Sequence, residues 1–438
     1  MLKKLIFIVV GLLSYSVTQA ELHLELTQGI DSAWPIAIVP FNGQANDPNL
    51  TDVAGVIQQD LQNSGRFRTL DPGNMTQFPQ TASNIDKSYW RGMKVNDVVI
   101  GSIKPMSGGL YQISFSLVNI YAKPVDGASP ATQGVLASQT FTAGAPALRA
   151  VAHRIADIIY QEILNKRGIF STKIAYVVVR NSDDYSLEVA DYDGYNPQTI
   201  LSSTAPVMSP AWSPDGKQIA YVSFERGNPA IYIHTLATGM RVIASNSMGI
   251  NGAPAFSPDG KKLALVLTLN SAPNVYVKDL SSGQVQQITR DNAIDTEPAW
   301  SPDGSSLLYT SDRGGSPQIY QYSFATGKSM RLTYNGSYNA RASFTPDGQS
   351  IVLLHRDEAG VYAIAIQNLA TGRLQVLAEP PVAQAPSVAP NGDMVIYNFS
   401  NDSGKVLLGM VSTDGKVQIQ LPMRGGNVRD PAWSPFLG

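Results

Sequence analysis

The four histidines are the side chains best suited to chemistry, and their positions argue against a catalytic or metal centre. They are His23, His153, His234 and His355, and no two of them stand at a ligand spacing. A transition-metal site needs three or four suitable ligands brought to one point, and a metal-dependent lyase would need several imidazoles facing it. The sequence therefore predicts no catalytic residue, no metal ligand and no bound cofactor.

Three ionisable residues nevertheless share one face of a helix predicted near residues 146–166. Arg149, His153 and Asp157 follow one another at intervals of four, which places them in a row along that face. Such a row could be a polar patch that contacts another domain. A solvated face with weak ion pairs is the favoured interpretation, because exposed pairs of this kind are common.

Other catalytic patterns are missing from the sequence. There is no Gly-x-Ser-x-Gly elbow and no Gly-x-x-x-x-Gly-Lys-Ser/Thr phosphate loop. The chain has no cysteine, which excludes disulfides, thiolate chemistry and cysteine-ligated zinc. The formal charge is −2, or −4 without Lys3 and Lys4, so no nucleic-acid binding is expected. These features favour a binding protein over an enzyme.

The first twenty residues have the pattern of a secretory signal. Lys3 and Lys4 precede an apolar run from Leu5 to Leu13, and Ala20 lies before the candidate cleavage point. No later segment has the length and apolarity of a membrane span. We expect residues 1–20 to be removed after Ala20, with export to a Gram-negative periplasm and no direct insertion into a membrane.

A repeated turn organises more than half of the chain. Its copies recur every 44 residues and start at Ser213, Ser257, Ser301, Thr345 and Ala389. Each copy has Pro second, Asp or Asn third and Gly fourth, which is a turn signature. We assign a purely structural role to these turns.

The segments around each turn predict a propeller blade. An apolar strand precedes the turn and three short strands follow it within each repeat, for example Ile219-Ala-Tyr-Val and Ile231-Tyr-Ile. Lys173–Val179 matches a second strand without a first, whereas Asp430–Pro435 matches a first strand without a second. The C-terminal strand should therefore complete the first blade and close a six-bladed β-propeller spanning 172–438.

Residues 21–168 have a different composition and predict a small mixed α/β domain, followed by a short linker. Strands are expected at Trp34–Phe41, Asp97–Gly101, Tyr111–Leu117 and Val135–Phe141, with helices after Asp47-Pro48 and near 146–166. The arm, residues 21–31, is an extended peptide with alternating apolar residues. It either docks as an edge strand or is free for another protein.

The loops that lead into the first strand of each blade differ from repeat to repeat. Variable loops on a repetitive scaffold are typical of a binding site, which here would surround one mouth of the channel. These loops contain Glu297, Asp430, Arg341 and Arg429. Their mixed charge favours a polar epitope of a partner protein.

Several motifs together resemble one known family. They are Asp60-Leu-x-x-Ser64-Gly65-x-Phe67, Leu148-Arg-x-x-x-His153-x-x-x-Asp157, Gly168-x-Phe170-x-Thr172-Lys-Ile-Ala-Tyr-Val177, the Pro-x-Trp-Ser-Pro-Asp-Gly repeats and the ending Pro431-Ala-Trp-Ser-Pro435-Phe436-Leu437. The chain from Glu21 to Gly438 resembles the TolB family, the periplasmic component of the Tol–Pal cell-envelope system.

The resemblance implies a non-enzymatic adaptor that supports outer-membrane integrity and envelope constriction at cell division. It implies that the lipoprotein Pal binds at the propeller mouth, which some bacteriocins also use, and that TolA binds the arm. Occupancy of the mouth would decide whether the arm is free. The candidate Pal-binding residues are Met208, Ile250, Asn251, Ala253, Thr296, Glu297, Asn339, Arg341, Gln384, Arg429 and Asp430. The candidate TolA-binding residues are Glu21, Leu22, His23, Leu24, Glu25 and Leu26.

Two other classes of function compete with this expectation. A periplasmic propeller enzyme, such as a glycan lyase or a peptidase accessory, would carry a stoichiometric metal in the lyase case. An exported sugar-binding lectin would be recognised on a glycan array. Ile250 also departs from the histidine that the family pattern has at that position.

Overall fold

Six sheets arranged in a ring form the larger part of the protein, and a smaller α/β domain packs on one face of that ring. The computed structural model describes residues 23–26, 33–43, 50–123, 129, 132–269, 272–423 and 425–437. The predicted signal, residues 1–20, and the arm residues Glu21 and Leu22 lie outside them. Among the helices of the described residues, none combines the length and apolarity that crossing a bilayer requires.

The N-terminal domain is a five-stranded sheet covered by helices on both faces. The sheet has the order β3-β2-β4-β5-β6, with β2 parallel to β3 and β4 and the other pairs antiparallel. The arm contains β1 (His23–Leu26), and the domain contains β2 (Trp34–Ile38), α1 (Val53–Asn63), β3 (Phe67–Thr69), α2 (Lys87–Gly92), β4 (Asp97–Pro105), β5 (Leu110–Asn119), β6 (Val135–Gly144) and α3 (Leu148–Leu164).

Strand alternation explains why both faces of this sheet are covered. Ile36 and Ile38 of β2 pack in the cluster formed by α1 and α3, whereas Ala37 and Val39 pack against Trp90 of α2. Successive side chains of a strand point to opposite faces. A strand that is apolar at consecutive positions therefore needs a helix on each side.

Each blade of the ring is an antiparallel sheet whose innermost strand lies beside the central channel. Blade 1 contains β7 (Lys173–Asn181), β8 (Asp184–Asp191), β9 (Gln198–Ser203) and the C-terminal β30 (Asn427–Trp433). Blade 2 contains β10 (Val207–Trp212), β11 (Gln218–Ser223), β12 (Ala230–Thr235) and β13 (Arg241–Ser245). Blade 3 contains β14 (Asn251–Phe256), β15 (Lys262–Leu267), β16 (Asn274–Asp279) and β17 (Val285–Gln287).

The remaining blades repeat this plan. Blade 4 contains β18 (Asp295–Trp300), β19 (Ser306–Ser311), β20 (Gln318–Ser323) and β21 (Lys328–Arg331). Blade 5 contains β22 (Tyr338–Phe344), β23 (Ser350–Arg356), β24 (Tyr362–Asn368) and β25 (Leu374–Ala378). Blade 6 contains β26 (Gln384–Val388), β27 (Met394–Ser400), β28 (Val406–Ser412), β29 (Val417–Gln420) and the arm strand β1.

The predicted closure of the ring by the C-terminal strand is confirmed. Strand β30 pairs antiparallel with β7, with Asn427 opposite Val179 and Trp433 opposite Ile174. The Trp433 indole Nε1 donates a hydrogen bond of 2.8 Å to Thr172 Oγ1, and the residue is only 6% exposed. Blade 1 is thus assembled from both ends of the propeller sequence, and the six-bladed fold is confirmed.

The repeated turns use their residues as the sequence predicts. In the first copy, the Ser213 hydroxyl donates to Asp215 Oδ1 over 2.6 Å, and the Lys217 amide donates to the same oxygen over 3.1 Å. Gly216 has φ of +68°, which a residue with a Cβ rarely adopts. The turns contact their own blades and each other, so their regularity reflects structure.

The N-terminal domain covers the face of the propeller that bears these turns. Tyr160 of α3 donates to Asp393, just after the fifth turn, over 2.7 Å, and Lys166 pairs with the same carboxylate over 2.6 Å. The Asn391 side chain in that turn donates to the Arg167 carbonyl over 3.1 Å. One apolar cluster continues from α3 into blades 1 and 6. The opposite face, which bears the variable loops, is therefore left open by this domain.

Candidate binding surfaces on the propeller and the arm

A channel of about 650 Å³ runs between the innermost strands of the blades. Each of these strands carries a bulge, where the register with the second strand shifts. One residue in each bulge has a positive φ, between +44° and +55°, although none is a glycine: Ser209, Ala253, Glu297, Arg341, Ala385 and Asp430. A bulge of this kind redirects a side chain, and all six positions line the channel.

Three of these bulge positions form an ionic network across the channel. Arg341 Nε lies 2.8 Å from Glu297 Oε1, and Arg341 Nη1 lies 3.0 Å from Asp430 Oδ1. The Glu297 carboxylate also accepts from the Thr310 hydroxyl over 2.8 Å, and that of Asp430 accepts from the Ser209 amide over 3.1 Å. The guanidinium therefore links blades 4 and 5 to blade 1 through the channel.

Electrostatics keep this cation charged. Burial alone would lower the pKa of Arg341, but the Glu297 and Asp430 carboxylates outweigh it and raise that pKa. The side chain is still 36% exposed, because the channel is open at the mouth. The network contains one guanidinium and two carboxylates, so it carries a net negative charge, and each carboxylate is paired with the same cation.

Replacing Arg341 with Leu is expected to lower the free energy of unfolding by about 1–2 kcal/mol. The change leaves two carboxylates facing each other without their cation, and the effect is reduced from that of a fully buried pair by the exposure of the site. Urea unfolding measures it, with Arg429→Leu, an exposed arginine of the same mouth, as the matched control. A loss no larger than that of the control would show that the bridge does not stabilise the ring.

Two other predicted site residues, Asn251 and Asn339, form hydrogen bonds that hold the conformation of the loops. Asn251 and Asn339 are fully buried. The Asn251 side chain bonds to Ser245, Ser247 and Gly249 at distances from 2.6 to 3.3 Å. The Asn339 side chain bonds to Gln318, the Asn335 carbonyl and His355. These amides hold the loops of the mouth in place, whereas Gln384 and Arg429 are exposed.

Large apolar residues are exposed around the mouth beside the polar Gln384 and the charged Arg429, and we call these apolar residues the apolar rim. Large apolar side chains from several variable loops share this face: Met208 (37% exposed), Met248 (93%), Ile250 (45%), Leu269 (50%), Ile294 (52%) and Val382 (56%). Three of the predicted charged residues, Glu297, Arg341 and Asp430, line the channel and bind one another. Asp295 is buried and paired with Arg313 over 3.0 Å. The site residues predicted from the sequence do not include Met248, Leu269, Ile294 and Val382. Each of them could have been recognised as an apolar residue inside a polar loop.

The described part of the arm, His23–Leu26, docks on the propeller as an additional strand, which is the docked alternative of the prediction. Strand β1 pairs antiparallel with β29, with His23 opposite Gln420 and Leu26 opposite Val417. It becomes the fifth strand and outer edge of blade 6. A cavity of about 460 Å³ lies beside this edge, lined by Glu379, Pro380, Tyr397, Phe399, Gln418, Ile419 and Gln420.

A cluster of ionisable side chains joins the two domains. The interpretation of the α3 face as solvated is therefore wrong. Arg149 and His153 contact Asp193 of the turn after β8, and Asp157 accepts from the Phe170 and Ser171 amides over 2.8 and 3.0 Å. The interdomain cluster is defined as Asp60, Arg149, His153, Asp191, Tyr192 and Asp193. The row of residues at intervals of four is thus a contact with another domain.

Three members of the interdomain cluster lie close enough for a metal ion. Ligand atoms of Asp60, His153 and Asp193 are within 4.8 Å of one another. However, His153 Nδ1 is bound to Asp60, and the guanidinium of Arg149 pairs directly with Asp193. The Arg149 guanidinium already supplies the positive charge that a metal ion would bring to Asp193. These side chains therefore fit an ionic network better than a metal centre.

Comparison with known families matches both parts of the chain. A family model described as the TolB amino-terminal domain matches residues 22–125. A second model, described as the TolB beta propeller domain, matches residues 160–437.

Individual relatives agree with these matches over nearly the whole length. The chain is 57% identical to the Tol-Pal system protein TolB of Coxiella burnetii, over 99% of this chain and 98% of the relative. It is 54% identical to the protein of the same name from Nitrosococcus oceani, over 98% of this chain and 96% of the relative. The crystal structure of TolB from Acinetobacter baumannii superposes with a TM-score of 0.85 at 40% identity, covering 95% of this chain and all of the other.

Proposed function

The chain belongs to the TolB family, a non-enzymatic component of the Tol–Pal system, and we propose that it is a periplasmic adaptor between two partners. In this proposal, Pal binds the open mouth of the propeller and the C-terminal domain of TolA binds the arm. The adaptor would support outer-membrane integrity and envelope constriction at cell division. Bacteriocins that enter through the system would use the same mouth.

The apolar rim of the open mouth is the observation that carries the Pal-binding part. A monomeric protein exposes few contiguous apolar patches, and such patches often mark protein interfaces. Met208 lies in β10, Met248 and Ile250 precede β14, and these two strands of neighbouring blades contact each other. Because the N-terminal domain covers the other face, this rim is accessible to a protein of domain size.

The composition of the mouth also suits a protein partner in another respect. Hot spots of interfaces lie at the centre of a patch and are surrounded by contacts that exclude water. The half-buried Ala253, Thr296 and Glu297 lie inside the apolar rim and line the channel. A side chain of the partner that enters the channel would meet the bridge formed by Arg341, and the rim would surround it.

The manner in which the arm is held supports its role as the TolA-binding segment. Strand β1 is four residues long, and among the strands that the structure describes it pairs with β29 alone. A partner that offers another strand edge could replace these main-chain hydrogen bonds one for one. If Pal and TolA binding are coupled through the arm, each must change the affinity of the other by the same factor.

Ile250→Asp is expected to weaken Pal binding at least tenfold, because it places a charge in the middle of an apolar contact. Isothermal titration calorimetry with purified Pal measures this change. Ile243→Asp is the matched control, since Ile243 is similarly exposed, at 40%, but lies on the outer strand of blade 2.

The outcome of this comparison decides where the site lies. Equal Pal affinity for both variants and the unaltered protein would move the Pal site away from the mouth. Charge reversals at Glu297 or Arg341 are less informative, because each would break the bridge across the channel and disturb the ring itself.

A further inference from the structure

The centre of the interdomain cluster is a histidine between two carboxylates from different domains. His153 Nδ1 lies 2.7 Å from Asp60 Oδ2, within the N-terminal domain. His153 Nε2 lies 3.9 Å from Asp193 Oδ2, in the propeller. All three residues are at most 3% exposed. The imidazole thus faces a carboxylate of each domain.

The surrounding charges balance only when this imidazole carries two protons. Asp60, Asp191 and Asp193 supply three negative charges, while Arg149 on Asp193 and Lys173 on Asp191 supply two positive charges. Tyr192 donates a neutral hydrogen bond of 2.8 Å to Asp60 Oδ1. Asp157, one turn further along α3, is occupied by two backbone amides. A neutral His153 would leave one buried negative charge uncompensated.

The second ring nitrogen is where this balance can change. His153 Nε2 is buried and has no hydrogen-bond partner among the described residues. At 3.9 Å from a carboxylate it is close enough for an ion pair when it is protonated, but a neutral ring gains nothing from Asp193. The proton on Nε2 is therefore the element that converts a contact within one domain into an attraction between the two.

We propose that His153 is a proton-dependent latch between the domains: the imidazolium holds α1 and α3 to blade 1, and loss of its second proton loosens the N-terminal domain. The latch acts on the contact between the N-terminal domain and blade 1. It does not depend on which protein binds the arm or the mouth. It predicts that the two domains take up a proton when they dock.

The direction of the pH effect follows from the two ionisable partners. Burial is the largest influence and would lower the pKa of His153, but the carboxylates of Asp60 and Asp193 together outweigh it and raise the pKa above 6.5. Burial also raises the pKa of Asp60, to about 6. A group whose pKa is raised in the folded state stabilises it at low pH and loses that effect as pH rises through the raised value. The contribution of Asp60 is therefore lost by about pH 6, and the weakening of docking above pH 6.5 comes from His153.

Titration of the ring by NMR tests the latch in the unaltered protein. With only four histidines in the chain, the ring nitrogens of His153 can be assigned by comparison with His153→Gln. The ring is expected to titrate above 6.5, and Asp193→Asn is expected to lower its pKa, because it removes one of the carboxylates. A ring that titrates at or below 6.5, or is unaffected by Asp193→Asn, would overturn the proposal.

Hydrogen exchange tests the consequence for docking. Opening of α1 and α3, corrected for the chemical exchange rate, should increase by up to tenfold per pH unit between pH 6.5 and the raised pKa of His153, which is the limit for one proton. Peptides of blades 3 and 4 provide an internal control. His153→Gln retains a donor to Asp60 and should remove the slope, whereas His234→Gln in blade 2 should retain it.

Two results contradict the latch in this second experiment. The first is the same slope in His153→Gln as in the unaltered protein. The second is that added Zn²⁺ protects α1 and α3 and shifts the His153 ring signals, which would make the cluster a metal site. If His153→Gln does not fold, the variants His23→Gln, His234→Gln and His355→Gln assign the remaining ring signals to His153 by exclusion, and the titrations of the unaltered protein and of Asp193→Asn decide.

Discussion

Replacing Trp433 with Ala is expected to lower the free energy of unfolding by about 3–5 kcal/mol, the range for truncating a large buried aromatic residue. Trp433 lies at the end of β30, which joins the two ends of the propeller sequence in blade 1. Its loss removes packing against the apolar cluster shared by both domains and the hydrogen bond to Thr172. No covalent link holds this seam, so packing and pairing alone keep the ring closed.

Urea unfolding followed by circular dichroism measures the effect. Trp433→Phe retains most of the packing and should cost less, and Met248→Ala, at a residue 93% exposed, should cost under about 0.5 kcal/mol. A Trp433→Ala protein as stable as the Met248→Ala protein would mean that the seam contributes nothing to the ring.

Deleting Glu21–Leu26 is expected to reduce affinity for TolA at least 100-fold while Pal binding changes less than threefold. The reason is that the proposed TolA contact is made by the arm itself, whereas the Pal contact is made by loops of the opposite face. Affinities for the two purified partners, measured separately, test both parts. An arm of the same composition in scrambled order serves as the control, because it retains length and charge.

The pattern of losses separates the possible outcomes. Unchanged TolA affinity after the deletion would exclude a recognition role for the arm. Equal loss of TolA and Pal binding would indicate that the deletion disturbs the propeller, through the exposed edge of β29, and would contradict two spatially separate sites.

The architecture could be predicted from the sequence because the repeats contain the same turn chemistry at a constant spacing. The closure of blade 1 was also predictable, since one end of the propeller sequence lacks the strand that the other end has in excess. The arm could not be decided, because pairing with β29 depends on main-chain groups that leave little trace in the residue types. A short alternating peptide has the same pattern whether it is docked or free.

The candidate site shows where the sequence falls short. Glu297, Arg341 and Asp430 occupy equivalent positions of three repeats, but only the positive φ of the bulges directs them into the channel. A positive φ at a residue other than glycine cannot be recognised from the residue type. Likewise, Asp60 and His153 meet although 93 residues separate them. Helical spacing identified the shared face of α3 but not the domain that covers it.

The outer edge of blade 6 gives the arm a further property. As long as β1 lies there, the backbone groups along the outside of β29 are saturated, and departure of β1 uncovers them. In the proposed function, a partner that pairs with the arm would exchange one set of main-chain hydrogen bonds for another of similar strength, so the net cost of the transfer would be small. A modest bias applied elsewhere, at the mouth or where the two domains meet, is then enough to decide which ladder the peptide joins. While the arm is away, the edge of β29 exposes unpaired main-chain groups that another strand could bind.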